Sequence, residues 1–228
     1  MSFWEHLEVL RGVLLRAVSV ALVCTLAAFL LKDALFAVVM APARDVSLIN
    51  TQLTGQFAAH VTVAVYAGIV MASPYIIYVL LGFISPGLYA GERRLVVRVV
   101  AAGYVLFMAG VVLDYLLIFP LTVRFLASYT VTDDVVNMIA LSSYIDTLAA
   151  MSLMMGIVAE TPVLCWLLAK MGLVDAAAMR SKRKHAIVAM LTVAAVITPT
   201  QDVLTLLLVA CPMIVLYEVS IWIVKGVK

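Results

Sequence analysis

Three carboxylates, Asp114, Glu160 and Glu218, stand inside runs of apolar residues. An ionisable group is costly to keep in lipid, so each is by default a candidate for proton, ion or partner contact. Glu218 lies about one turn from the end of its run and close to Lys225, where reaching the interface and pairing there accounts for it. Asp114 lies toward the other end of its own run. Glu160 is the sharpest case: it follows Tyr144 by sixteen residues and precedes Lys170 by ten, with no basic residue within a helical turn. Either a neighbouring helix supplies its hydrogen bond, or it is protonated, or it lines a wet cavity. A relay through Glu160 and Asp114 would suit a proton-coupled small-solute transporter, which stands as one alternative.

Other chemistry is sparse. Glu92 sits in the turn Tyr89-Ala90-Gly91-Glu92-Arg93-Arg94, where sequence physics alone reads it as a solvated loop acid paired with its arginines. Near the start, Phe3, Leu7, Leu10 and Leu14 recur at helical spacing beside Glu5, Glu8 and Arg11, an amphipathic lead-in expected to lie at a membrane interface. Glu8 and Arg11 have the spacing of a weak i, i+3 pair. Cys24, Cys165 and Cys211 are far apart inside apolar runs, and His6, His60 and His185 are dispersed, so no metal site or cofactor is expected. The templates H-E-x-x-H and G-x-S-x-G and the phosphate loop are missing, and catalysis is not indicated. Basic residues are spread between apolar runs, which argues against nucleic acid as a partner.

The elements that must position these residues follow from composition. Of 228 residues, 66% are hydrophobic and 12% charged, with a net charge of +2; a soluble domain carries about a quarter charged residues. Spanning a bilayer takes about 20 mostly apolar residues. Dividing the chain where charges interrupt gives six spans, approximately 12–31, 58–84, 97–121, 144–169, 185–198 and 203–224, in one membrane domain covering 1–228. Twelve of the fifteen lysines and arginines fall on one side, leaving Lys32, Arg44 and Arg124 on the other. That asymmetry predicts both termini in the cytoplasm.

The fifth span has about 14 residues, or about 21 Å of helix, and must thin the bilayer or be sheltered. Its short link to the sixth makes the two antiparallel neighbours, with Asp202 placed to cap the sixth. The connections 32–57 and 122–143 are long enough to fold as an outer cap. Pro74, Pro86, Pro120, Pro162 and Pro212 predict kinked helices, with neighbouring helices satisfying the freed carbonyls.

These motifs, in order, resemble the TatC family, the large subunit of the Sec-independent twin-arginine protein translocase. They are Phe3-Trp4-Glu5-His6-Leu7-Glu8-Val9-Leu10-Arg11; Ala41-Pro42; Ser73-Pro74-Tyr75; Phe83-Ile84-Ser85-Pro86-Gly87-Leu88-Tyr89 with Glu92-Arg93-Arg94; Tyr115 with Phe119-Pro120-Leu121; Glu160-Thr161-Pro162; Thr198-Pro199 with Asp202; and Pro212 with Leu216-Tyr217-Glu218. The resemblance implies a curved, six-span receptor in a bacterial cytoplasmic (inner) membrane that binds twin-arginine signal peptides of folded cargo. It also implies recruitment of small single-span subunits of the TatA and TatB type, self-association in a receptor complex, and export driven by the proton-motive force. Glu92, Glu8, Arg11 and Phe83 become signal-peptide candidates. Glu160 becomes an intramembrane transport and partner residue, and Pro42, Pro74 and Asp202 motif positions. Two departures stand out. Val9 occupies the place where the family lead-in carries glutamate, with Glu8 one residue, about 100°, away around a helix. Val79 stands where many relatives carry glutamine.

Overall fold

A computed structural model describes residues 3–43, 46–84, 93–129, 137–198 and 202–227. Helix α1, Phe3–Leu30, is followed by the short α2, Lys32–Val39, and a 3-10 turn at Ala41–Ala43. Then come α3, Gly55–Ile84, and α4, Arg93–Leu113. A π-helical turn, Asp114–Ile118, leads from α4 directly into α5, Phe119–Ser128. Next are α6, Leu141–Ala159, α7, Thr161–Lys170, the short α8, Ala176–Ser181, α9, Arg183–Ile197, and α10, Val203–Lys225. Strand β1, Leu48–Ile49, pairs in parallel with β2, Ile139–Ala140.

Among the described residues five stretches are long and apolar enough to cross a membrane: 4–30, 55–83, 95–128, 141–170 and 203–225. The expected fifth span is α9, whose 15 residues give about 22 Å of rise against a hydrocarbon core of about 30 Å. The lead-in, expected at a membrane interface, is helical from Phe3. It runs without a break into the first span as α1, because no proline stands between Phe3 and Leu30 and the single glycine, Gly12, costs a helix interior only about 1 kcal/mol. The third span also overshoots its expected end at 121, reaching Ser128. Pro120 falls just past the π-helical turn, which carries the helix by it: the Phe119 N–H donates to the Asp114 carbonyl.

Two prolines inside spans are handled locally. Pro74 leaves the carbonyl of Val70 without its helical donor, and the hydroxyl of Ser73 donates to that oxygen at 2.7 Å. Pro162 does the same to Val158, whose carbonyl accepts from Thr161 Oγ1 at 2.6 Å. At these two prolines the rescue expected from neighbouring helices is supplied instead by the residue just before the proline.

Close helix contacts rest on glycine. A Cβ at Gly110 would lie 2.4 Å from the carbonyl oxygen of Met155, and one at Gly156 2.7 Å from the Phe107 ring, so α4 and α6 meet nearly backbone to backbone. A Cβ at Gly68 would fall 2.6 Å from the Thr25 backbone, which sets α1 against α3. The main core gathers Ile118, Phe119, Ile145, Leu148, Met151 and Val209 from four elements. A second cluster around Ile77, Phe107, Val163 and Leu167 sits toward the ends of α3 and α7.

The two long connections do form a cap. Besides the β1–β2 pairing, Tyr115 Oη donates to the carbonyl of Val38 at 2.7 Å and Tyr144 Oη to that of Val39 at 3.0 Å. Two of the orphan carbonyls at the end of α2 are thereby satisfied.

Candidate functional site

The N-terminal end of α1 and the C-terminal end of α3 are brought together by one ring contact. His6 stacks on Phe83 with centroids 4.5 Å apart and planes at 28°. Phe83 is half-buried, whereas Glu8 and Arg11 are exposed and form no ion pair with each other among the described residues. On an α-helix Glu8 lies about 160° around the axis from His6 and so points away from Phe83. Val9 lies only about 60° from His6, and Glu5, four residues earlier, shares its face. The segment 85–92, with Glu92, lies outside the described residues. Sequence reading missed the His6–Phe83 stack, which no spacing rule connects.

Glu160 falls between α6 and α7, at backbone angles φ −72° and ψ −11°, just ahead of Thr161-Pro162. The break places its carboxylate over Gly103 of α4: a Cβ there would lie 2.9 Å from Oε2, 3.2 Å from Oε1 and 3.2 Å from Ile77 Cγ2. Only hydrogen at position 103 leaves that space open. Oε1 is buried without a hydrogen-bond partner among the described residues. Of the possibilities left open by sequence, a hydrogen bond from a neighbouring helix is absent at this oxygen.

Asp114 is fully buried at the start of the π-helical turn. Its Oδ2 accepts from Ser152 Oγ at 2.6 Å, and Tyr66 faces the same pair. Ser152 and Glu160 are eight residues apart along α6, about 12 Å of rise. The two acids thus occupy separate sites and do not form a contact relay. Glu218 pairs with Arg183, whose guanidinium donates to Oε2 at 2.6 Å, not with Lys225 as the spacing suggested. The first residue of α9 reaches it because α9 and α10 are antiparallel neighbours.

The motif positions take structural roles. Asp202 is the N-cap of α10, accepting from the Thr205 N–H at 2.7 Å. Pro42 sits in the 3-10 turn of the cap and Pro74 at the α3 irregularity closed by Ser73. Cys24, Cys165 and Cys211 are free thiols.

A helical chain with these paired ends, a broken fourth span and a short α9 has close relatives. Residues 5–212 match the family model described as Sec-independent protein translocase protein (TatC). The chain belongs to the TatC family. Over its whole length it is 32% identical to the Sec-independent protein translocase protein TatC of Carboxydothermus hydrogenoformans, covering 94% of that protein. The TatCy protein of Bacillus subtilis is 31% identical over 99% of this chain and 89% of its own. A crystal structure of the twin-arginine translocase receptor TatC superimposes with a TM-score of 0.85 at 30% identity, covering 97% of this chain and 99% of that one. The all-α TatC-like membrane fold, and membership of a protein translocase in place of the small-solute alternative, rest on these likenesses.

Proposed function

We propose that this TatC-family chain is the receptor and scaffold subunit of a twin-arginine translocase. It would bind the twin-arginine signal peptide of folded cargo at the cytoplasmic face and recruit small single-span subunits for export driven by the proton-motive force. The observation that carries the reading is the His6–Phe83 stack, which joins the lead-in to the helix end from which the Glu92 loop departs. The similar solved structure, described as a twin-arginine translocase receptor, supports the same reading. Two adjacent guanidinium groups call for carboxylates in a partly desolvated setting, where charge-assisted, bidentate bonds gain strength and direction. Glu92 is the principal acid proposed. Glu5, on the face of position 9, suits the lead-in half of the surface better than Glu8, and Phe83 borders it; Arg11, proposed with them, lies on the Glu8 side of the helix.

Glu160 is proposed for transport and partner contact, and α9 with α10 as the locally thinned edge where partner helices dock. The remaining proposals are six crossings with both termini in the cytoplasm of a bacterial inner membrane, contact with lipid, and self-association in the receptor complex.

The deciding experiment is binding of a twin-arginine signal peptide to the purified protein. Glu92→Lys is expected to weaken it about 30-fold, the scale of removing one partner from a desolvated charge pair. Unchanged affinity would remove Glu92 from the site. Glu5→Gln and Glu8→Gln, compared side by side, separate the two lead-in acids: the larger loss is expected for Glu5.

A further inference from the structure

A groove of about 300 Å³ opens on the bundle surface between α4, α7 and the end of α10. Its walls are Leu95, Ala102, Val163, Trp166 and Ile223, and the one charged residue lining it is Arg98. All three helices end near it: Arg98 is one and a half turns into α4, Lys170 closes α7, and Ile223 is two residues from the end of α10. Such a position is at the depth where a bilayer changes from hydrocarbon to headgroup. Lys170 Nζ stands 5.9 Å over the Trp166 ring, adding a second cation at the same level. Arg98 is exposed and pairs with no carboxylate among the described residues, and Glu218, the nearest acid along α10, is engaged by Arg183.

We propose that this groove is a site for an anionic phospholipid. One acyl chain lies against Ala102, Val163 and Trp166, and the headgroup phosphate accepts from the Arg98 guanidinium with Lys170 beside it. Charge complementarity selects this occupant: an apolar slot topped by two cations matches a chain topped by an anion, whereas a zwitterionic lipid would bring its own cation to the same place. The leaflet follows the orientation proposed above, but occupancy does not depend on it.

The test uses the full chain with Trp4→Phe and Trp222→Phe, which leaves Trp166 as the only tryptophan. It is reconstituted in equimolar phosphatidylglycerol and phosphatidylcholine, with brominated chains placed on one lipid or the other. Quenching of Trp166 is expected to show about fivefold enrichment of phosphatidylglycerol, the effect of one basic residue near an anionic lipid. Arg98→Gln should remove most of that preference and Arg98→Lys should retain it. Equal quenching whichever lipid carries the bromine, or a preference surviving Arg98→Gln combined with Lys170→Gln, overturns the proposal. So does weak quenching by both lipids, which would mean that a second copy or another protein segment fills the groove. The readout needs neither signal peptide nor transport, so its failure leaves the receptor proposal standing.

Discussion

At the scale of single residues, Glu160 and Gly103 act as one unit. The carboxylate occupies space that any side chain at 103 would contest. Glu160→Ala is therefore expected to leave signal-peptide binding intact while reducing export of a folded cargo, measured in a strain lacking its own large subunit. Wild-type export would make Glu160 merely structural. Gly103→Ala provides a gentler version: the added methyl meets the flexible end of a side chain, so the protein should fold, with the carboxylate displaced and export lowered in part. Normal export with Gly103→Ala would show that the precise place of the carboxylate is immaterial. Glu160 was legible in the sequence because an acid in an apolar run announces itself. Gly103 was not, since nothing in a local pattern says which glycine faces which acid across two helices. Glu8 shows the opposite difficulty: it resembles a displaced motif acid by adjacency, yet the helix turns it away from Phe83.

At the scale of elements, the span interiors depend on two hydroxyls and three glycines, Gly68, Gly110 and Gly156. Ser73→Ala and Thr161→Ala each leave a carbonyl without a donor next to a proline, at an expected cost of about 1–3 kcal/mol. Thermal unfolding in detergent should register the loss for both, with Thr161→Ser close to wild type; an unchanged Thr161→Ala would mean another donor takes over. Gly110→Leu drives a branched side chain into the Met155 backbone, where there is no flexible atom to give way. Little folded protein is expected in the membrane fraction, whereas Gly172→Ala changes only an exposed turn at φ 73° and should be milder. The dipeptides Ser73-Pro74 and Thr161-Pro162 stand in the sequence, so this rescue was readable once the i−4 carbonyl is counted. The π-helical turn was not readable, because no local pattern marks where it replaces an α-helical turn; in the structure Asp114 and Ile118 are buried there, and Asp114 bonds Ser152 of α6.

At the scale of the whole molecule, span positions came from apolar length and the interruptions of charge, and α3, α6 with α7, and α10 agree with them within a few residues. The third span ran on because the π-helical turn at Asp114–Ile118 carries the helix past Pro120 instead of ending there. The proposed topology predicts that, in a background without native cysteines, Leu53→Cys in the fully exposed part of the cap reacts with an impermeant maleimide on intact cells. Lys182→Cys should react only after permeabilisation. Labelling of both from outside would invert or break the six-crossing arrangement, including the passage of α9. The cap offers one more measurement. Val38 and Val39 are adjacent, yet their carbonyls are held by tyrosines from different transmembrane segments, Tyr115 from the π-helical turn and Tyr144 from α6. Any separation of those segments must lengthen one bond before the other, so isotope-edited infrared frequencies at the two carbonyls form a differential strain gauge, reporting motion in the bundle from its rim.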